Sequence, residues 1–360
     1  MKKITQTGIF CITAFMTFAI LTTAQGTFSF SDISKPKTTS NETIILEKSI
    51  LTDDLDSKNS ADVSMVFVGD IMLGRYVETL MKKHGEEYPF LKIHEFLERF
   101  ETVVANLEGP ITKNHRQTPD WTTSFSFAPS IAKLLKSEGI DIVSIANNHT
   151  LDKGEAVFEE TKQILTDAEI EYVGHPRDID ENYVLEKKIN GKKIFFVAFH
   201  ATKSTFDKEK AIELVKKVSS DEKIFVIVML HWGIEYQLVA SEKQQNLARS
   251  LIDAGADSII SHHPHVVQNI EAYNGKIIVY SLGNFIFDQY FSDDTQQGLA
   301  IGLELKNEEV IYRLFPLRSY QSQVELMNEE KAGPWLENLA KRSSETLFDA
   351  IKKGKIEMKR

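Results

Sequence analysis

Five apolar runs in this chain each stop at residues able to hold a metal, and that repetition limits the fold more than any other feature of the sequence. The runs are short and rich in β-branched residues, so they read as buried strands. Met65–Val68 leads into Gly69 and Asp70, and Thr102–Ala105 into Asn106, Leu107 and Glu108. Asp141–Ala146 leads into Asn147, Asn148 and His149, and Lys223–Leu230, the longest, into His231 and Trp232. Ser258–Ser261 ends at His262, His263 and His265, with Pro264 stiffening the turn between the last two. Open α/β sheets bind ligands in the crevice beyond the carboxyl ends of their strands, so donors repeated at strand tips predict one shared site.

Helical spacing separates these strands at Leu91–Phe100, Ile131–Glu138, Glu155–Ala168, Lys208–Val218 and Glu242–Ala254, the last with Gly255 as C-cap. Further strands are predicted at Lys193–Phe199, Val266–Tyr273, Lys276–Leu282, Gly298–Leu305 and Val310–Phe315, with Asn274 and Gly275 as a type I′ hairpin turn. An alternating first half that feeds a hairpin-rich second half predicts an α/β fold of two packed mixed sheets with helices outside. No second linker or internal repeat interrupts residues 63–325, which read as one domain. Residues 326–360 read as a helical segment on that domain, with Glu329–Lys331 and Lys352–Lys355 on its polar faces.

The first residues pair Lys2 and Lys3 with an uncharged apolar run from about Ile9 to Leu21 and small residues near Ala24. Residues 1–24 therefore read as a secretion signal or as an uncleaved membrane anchor, and residues 25–62, polar for most of their length, as a tether. The expected location is outside the cell membrane, anchored to it, or secreted if the signal is removed. Cys11, inside the apolar run, is the sole cysteine, so the exported part carries no disulfide. The formal net charge of −10 argues against nucleic acid as a partner. An anionic substrate would need local positive charge, which a bound metal supplies directly.

Asp70, Glu108, Asn148, His231, His263 and His265 make a mixed carboxylate, amide and imidazole set, suited to Mn²⁺, Zn²⁺ or Fe and ill suited to Ca²⁺. A carboxylate such as Glu108 can bridge two ions, and paired ions clamp a phosphoryl group and acidify water. His149 is the natural general acid, and Asp152 either orients its imidazole or caps the helix that follows. Arg75 reads as a clamp for a phosphate or carboxylate or as a solvated helix-opening residue, and Asn284 either faces the site or is turn chemistry. Trp232 reads as packing, and His84, His94, His115, His175 and His200 as surface or core residues.

The segments VGDIMLGR, ANLEGPIT, SIANNHTLDKG, LHWGIEY, GADSIISHHPHVVQNIE and IIVYSLGNFIFD, taken in order between Val63 and Leu305, resemble the successive signatures of the CapA family of capsule or poly-gamma-glutamate synthesis proteins. The resemblance implies a calcineurin-like metallophosphoesterase fold, a four-layer α/β/β/α sandwich. It also implies a role in making or exporting a polyglutamate capsule outside the membrane, alongside membrane synthase and export subunits. By the same resemblance, Asp70 matches the first-motif ligand, Glu108 stands for the bridging aspartate, and Asn148 with His149 matches the Asn-His pair. His231 matches the lone fourth-motif ligand and His263 with His265 the final His-x-His, which leaves His262 outside the ligand set. Wider phosphoesterases carry a histidine two residues after the first aspartate, where this chain has Met72. One site then keeps Glu108, Asn148, His231 and His263, and a second, weaker one only Asp70, Glu108 and His265.

Three readings follow: a metal centre that binds or processes anionic poly-gamma-glutamate, a metal-dependent phosphoesterase acting on a phosphate-containing envelope substrate, and a scaffold whose ion is structural.

Overall fold

The computed structural model describes residues 63–306 and 309–359, so the expected signal or anchor and the tether lie outside the described residues. The chain lays down β1 (Val63–Ile71), β2 (Thr102–Leu107), β3 (Ile140–Ser144) and β4 (Glu171–Val173) as parallel neighbours. A second sheet then forms from β5 (Leu185–Ile189), β6 (Lys192–His200), β7 (Ile224–His231), β8 (Ser258–His262), β9 (Ile270–Tyr273) and β10 (Lys276–Val279). The chain returns to the first sheet with β11 (Asn284–Ile286), β12 (Gln297–Lys306), β13 (Glu309–Tyr320), β14 (Gln323–Leu326) and, at its end, β15 (Lys355–Lys359). The nine-stranded sheet runs β14-β13-β12-β1-β2-β3-β4, with β11 beside β1 and β15 beside β13, and the six-stranded sheet runs β5-β6-β7-β8-β10-β9. Both are mixed, as the sequence predicts.

Alternation along the central strands makes the layers. In β7, Phe225, Ile227 and Met229 face the space between the sheets, while Val226, Val228 and Leu230 face outward. In β1, Met65 and Phe67 meet the second sheet, whereas Val66 and Val68 turn away from it. The outer face of the first sheet is covered by α1 (Arg75–His84), α2 (His94–Leu97), α3 (Ser130–Ser137) and α4 (Glu155–Asp167). The outer face of the second is covered by α5 (Lys208–Val218) and α6 (Glu242–Asp253), and α7 (Glu329–Arg342) and α8 (Phe348–Lys352) close the inter-sheet core. Three apolar cores between four layers make the α/β/β/α sandwich. Among the described residues, no helix is long and apolar enough to cross a membrane.

Three expectations need correction. The helix expected over Leu91–Phe100 shrinks to the four residues of α2. Its apolar spacing is real, because Ile93, Phe96, Leu97 and Phe100 are buried, but successive three-residue hydrogen bonds such as Ile93 N–H to Phe90 O (2.8 Å) tighten the chain into turns. The strand expected from Val266 starts only at Ile270, since Asn269 turns its side chain to accept the backbone N–H of Ala240. The final helical segment is broken, ending in β15, whose Lys355–Lys359 pairs with β13 rather than continuing a helix.

The α6 helix opens on a reciprocal cap, in which the Ser241 hydroxyl accepts the Gln244 N–H and the Gln244 side chain accepts the Ser241 N–H. Ser241→Ala should lower the unfolding free energy by about 1 kcal/mol. Denaturant titration checks this as a lower midpoint at constant slope, and an unshifted midpoint would remove the cap from the account.

Candidate metal centre

Parallel pairing sets the donors side by side. Asp70 on β1 lies in register with Asn106 on β2 and Asn284 on β11, and in the other sheet His231 on β7 pairs with His262 on β8. The close approach of β1 to the turn before β11 explains the glycine preceding Asp70. A Cβ on Gly69 would stand 2.0 Å from the carbonyl oxygen of Gly283.

The two sheets are joined at this edge by the histidine run. His262 donates through Nε2 to the Val68 carbonyl (3.1 Å), so it links the sheets and spends that nitrogen on the backbone. The His263 N–H donates to Asp70 Oδ2 (3.3 Å). His263 (φ 97°) and His265 (φ 58°) both adopt left-handed backbone, which L-residues rarely take up and which aims the two rings together.

Asp70, Glu108 and His265 bring one ligand atom each to within 4.8 Å of one another, all fully buried or nearly so. His265 donates from Nδ1 to Asn284 Oδ1 (3.0 Å), which leaves Nε2 directed at Glu108 Oε1, 3.8 Å away. Both oxygens of Glu108 are buried with no hydrogen-bond partner among the described residues. A buried carboxylate in that state is costly unless a cation faces it. Burial accordingly pushes the Glu108 carboxyl up to about 7. His265 shows the complementary response: burial opposes its charge, but the Glu108 and Asp70 carboxylates hold it up to about 9. Asp70 ends below its ordinary value, because the imidazoles of His265, 3.5 Å away, and His262, with the bond from Asn106, outweigh burial. The pocket therefore stabilises positive charge, and its residues fit a divalent cation.

Asn148, His231 and His263 form the adjoining group. His231 Nε2 lies 2.6 Å from Asn148 Oδ1 and 3.1 Å from His263 Nδ1. Burial keeps both imidazoles neutral, aided by His263 beside His231 and by His265 beside His263, with His231 well below its usual value and His263 down to about 3. Neutral imidazole is the form that ligates metals.

Behind the donors stands an amide hub that sequence reasoning passed over. Asn147 accepts the N–H groups of His149 (3.1 Å) and Thr150 (3.0 Å) and donates to Asn106 Oδ1 (3.2 Å). That fixes Asn106 Nδ2 toward Asp70 Oδ1 (2.8 Å) and His231 Nδ1 (3.3 Å). Both asparagines are wholly buried, and their places, Asn147 one residue before Asn148 and Asn106 two before Glu108, were the available signal. Glu235 was also passed over. Its carboxylate, with His263 and His265, makes a second group of donors within 4.8 Å.

The remaining expected residues surround this centre. His149 donates from Nδ1 to Asp152 Oδ2 (2.8 Å) and stacks on Phe125 (4.2 Å), leaving Nε2 3.7 Å from Glu108 Oε1. Asp152 thus orients the imidazole, while α4 begins after Gly154 without a side-chain cap. Arg75 lies between the rings of Phe125 and Phe287, and its guanidinium is paired with Asp288 and bonded to the Thr122 carbonyl (3.2 Å). Asn284 spends its amide on His265, Gln289 and the Thr295 carbonyl, so it positions His265. Met72 is buried, with its sulfur accepting the Gly74 N–H (3.2 Å).

A four-layer sandwich of two mixed sheets, with aspartate, glutamate, asparagine and histidine donors gathered where the strand tips meet, defines an α/β/β/α protein with a candidate metal centre. The model of the family described as bacterial capsule synthesis protein PGA_cap matches residues 64–289, and the chain belongs to that family. It is 31% identical to the capsule biosynthesis protein CapA of Bacillus anthracis, over 64% of this chain and 61% of that protein. It is 34% identical to the PGA biosynthesis protein CapA of Bacillus subtilis, over 63% of this chain and 64% of that one. The chain thus spans under two thirds of the length of these curated relatives. A purple acid phosphatase from yellow lupin seeds aligns with it in structure at 10% identity and a TM-score of 0.37, over 74% of this chain and 52% of that one.

Proposed function

We propose that this chain serves capsule synthesis on the outer side of the cell membrane, where its strand-tip centre holds a divalent cation and binds or processes an anionic polymer, poly-gamma-glutamate. The observation that carries the reading is Glu108, a fully buried carboxylate with both oxygens unpartnered and imidazoles on its open side. Asp70, Glu108, Asn148, His231, His263 and His265 would hold Mn²⁺, Zn²⁺ or Fe, with Asn106 and Asn284 orienting them. When bound, the ion supplies the concentrated positive charge and Lewis acidity that a chain of net charge −10 otherwise lacks near a polyanion. The membrane synthase and export subunits of such a pathway are its proposed partners.

Complementation of a capsule-negative deletion strain tests this. Glu108→Gln should cut extracellular polymer roughly tenfold or more at equal protein level, as loss of one ligand weakens metal affinity at least that much. Wild-type output from that variant would reject the reading.

The pairing of His149 with Asp152 favours a second reading, metal-dependent phosphoesterase action on an envelope phosphate, because an oriented imidazole 3.7 Å from Glu108 is placed to protonate a leaving group. Full-length protein supplied with Mn²⁺ would then turn over a generic phosphodiester, and His149→Ala should slow it about 100-fold or more. Absence of turnover in the wild type would leave the first reading alone.

A further inference from the structure

We propose that Glu235 is a ligand of this centre, the third donor of the group that His263 and His265 form with it. The inference rests on the metal-binding reading above and adds a residue that neither the motif comparison nor the family match assigns.

Donors are few on the β1 side, where Met72, two residues after Asp70, is buried with its sulfur turned to the Gly74 N–H. Asp70, Glu108 and His265 therefore offer only three donors to a cation. His265 is also a member of the second group, with Glu235 and His263. A carboxylate there raises the donor count around the ring shared by both groups.

Glu235 is exposed, and an exposed acid near histidines is commonly a solvated side chain. The contacts of its loop set this one apart, because they hold its backbone against the ligand turn. The N–H of the next residue, Tyr236, donates to the Pro264 carbonyl between the two histidines (2.8 Å). The Tyr236 ring lies along that of His265, 6.2 Å between centroids. Two residues before Glu235, Gly233 sits at φ 92° with no room for a side chain, since a Cβ would come within 2.5 Å of the Gln244 amide. Gln244 in turn donates to Gln268 (2.9 Å), whose amide donates to the Gln237 carbonyl (2.8 Å), so the loop is anchored at both ends. The carboxylate is thereby presented to His263 and His265 by a fixed backbone.

Isothermal titration of chelator-stripped, full-length protein with Mn²⁺ tests the assignment, with the loss of the free-ion electron paramagnetic resonance signal as a second readout. Glu235→Gln should lose one equivalent of Mn²⁺ or weaken one binding step about tenfold or more. Glu235→Asp should fall between it and the wild type. Because the side chain is exposed, the stripped variants should melt with the stripped wild type, which separates lost ligation from lost fold. Identical isotherms for wild type and Glu235→Gln would overturn this inference and leave the metal centre standing. A wild type that takes up no Mn²⁺ would overturn both.

Discussion

Alanine at His265 is expected to abolish tight divalent-cation binding, lowering affinity for Mn²⁺ more than 100-fold relative to the wild type. Removal of a residue that only orients a ligand costs about 10- to 100-fold, so loss of the ligand itself should exceed that range. His265 is the ring on which the two donor groups converge, one through Asp70 and Glu108 and the other through Glu235 and His263. Its deletion also leaves Glu108 with the Asp70 carboxylate within 4.8 Å and the His149 imidazole 3.7 Å away. Asn284→Ala provides the graded comparison. It removes the acceptor that holds His265 Nδ1 at 3.0 Å without touching a donor atom, and should weaken binding roughly tenfold. Titration calorimetry on stripped protein measures both, and a His265→Ala isotherm like that of the wild type would remove this ring from the centre.

Much of this site was legible because buried strands are monotonous and their ends are not. An apolar run such as Lys223–Leu230 must lie in a sheet, and His231 immediately after it can then only sit at the rim. The same logic placed Asp70, Glu108, Asn148, His263 and His265 without knowledge of which strands were neighbours. What remained hidden depends on partners far away in sequence. Arg75 looks like an anion clamp until Asp288, 213 residues later, is found paired with it. Asn284 resembles a substrate-facing amide until its three bonds inside the protein are counted. Glu235 occupies an exposed loop, where neither periodicity nor burial marks a residue out, and only the clasp to Pro264 shows what holds it. Lys355–Lys359 carries too many charges to read as a strand, yet at the sheet edge beside β13 those charges face water while Ile356 is buried.

The stripped protein should lose stability between about pH 7 and 8.5, and the metal-loaded protein should hold nearly level. The fold raises His265 from its ordinary value to about 9, so it favours the protonated ring. Stability from that preference is complete below about pH 6.5 and is lost as pH climbs through 9. Glu108, raised to about 7, adds a loss of the same sign that is nearly finished at the start of the window. Asp70, held below its ordinary value, contributes stability lost only in acid, far below this range. His231 and His263 are depressed by burial and destabilise only below about pH 6.5, where the unfolded chain takes up protons that the fold refuses. Above pH 7 the falling contribution of His265 is therefore the one that remains, on the order of 2 kcal/mol or about 4 °C in melting temperature by pH 8.5. A cation offsets the trend, because ligands bind it deprotonated and its stabilisation grows as the dissociation constant falls with pH. Melting curves in chelator should thus fall across this window, while the gap between Mn²⁺-loaded and stripped protein widens. His265→Gln should flatten the stripped curve. A slope that survives in that variant assigns the titration to another group, and a stripped wild type whose melting temperature is level or rising from pH 7 to 8.5 contradicts a protonated His265 as the charge that balances Glu108.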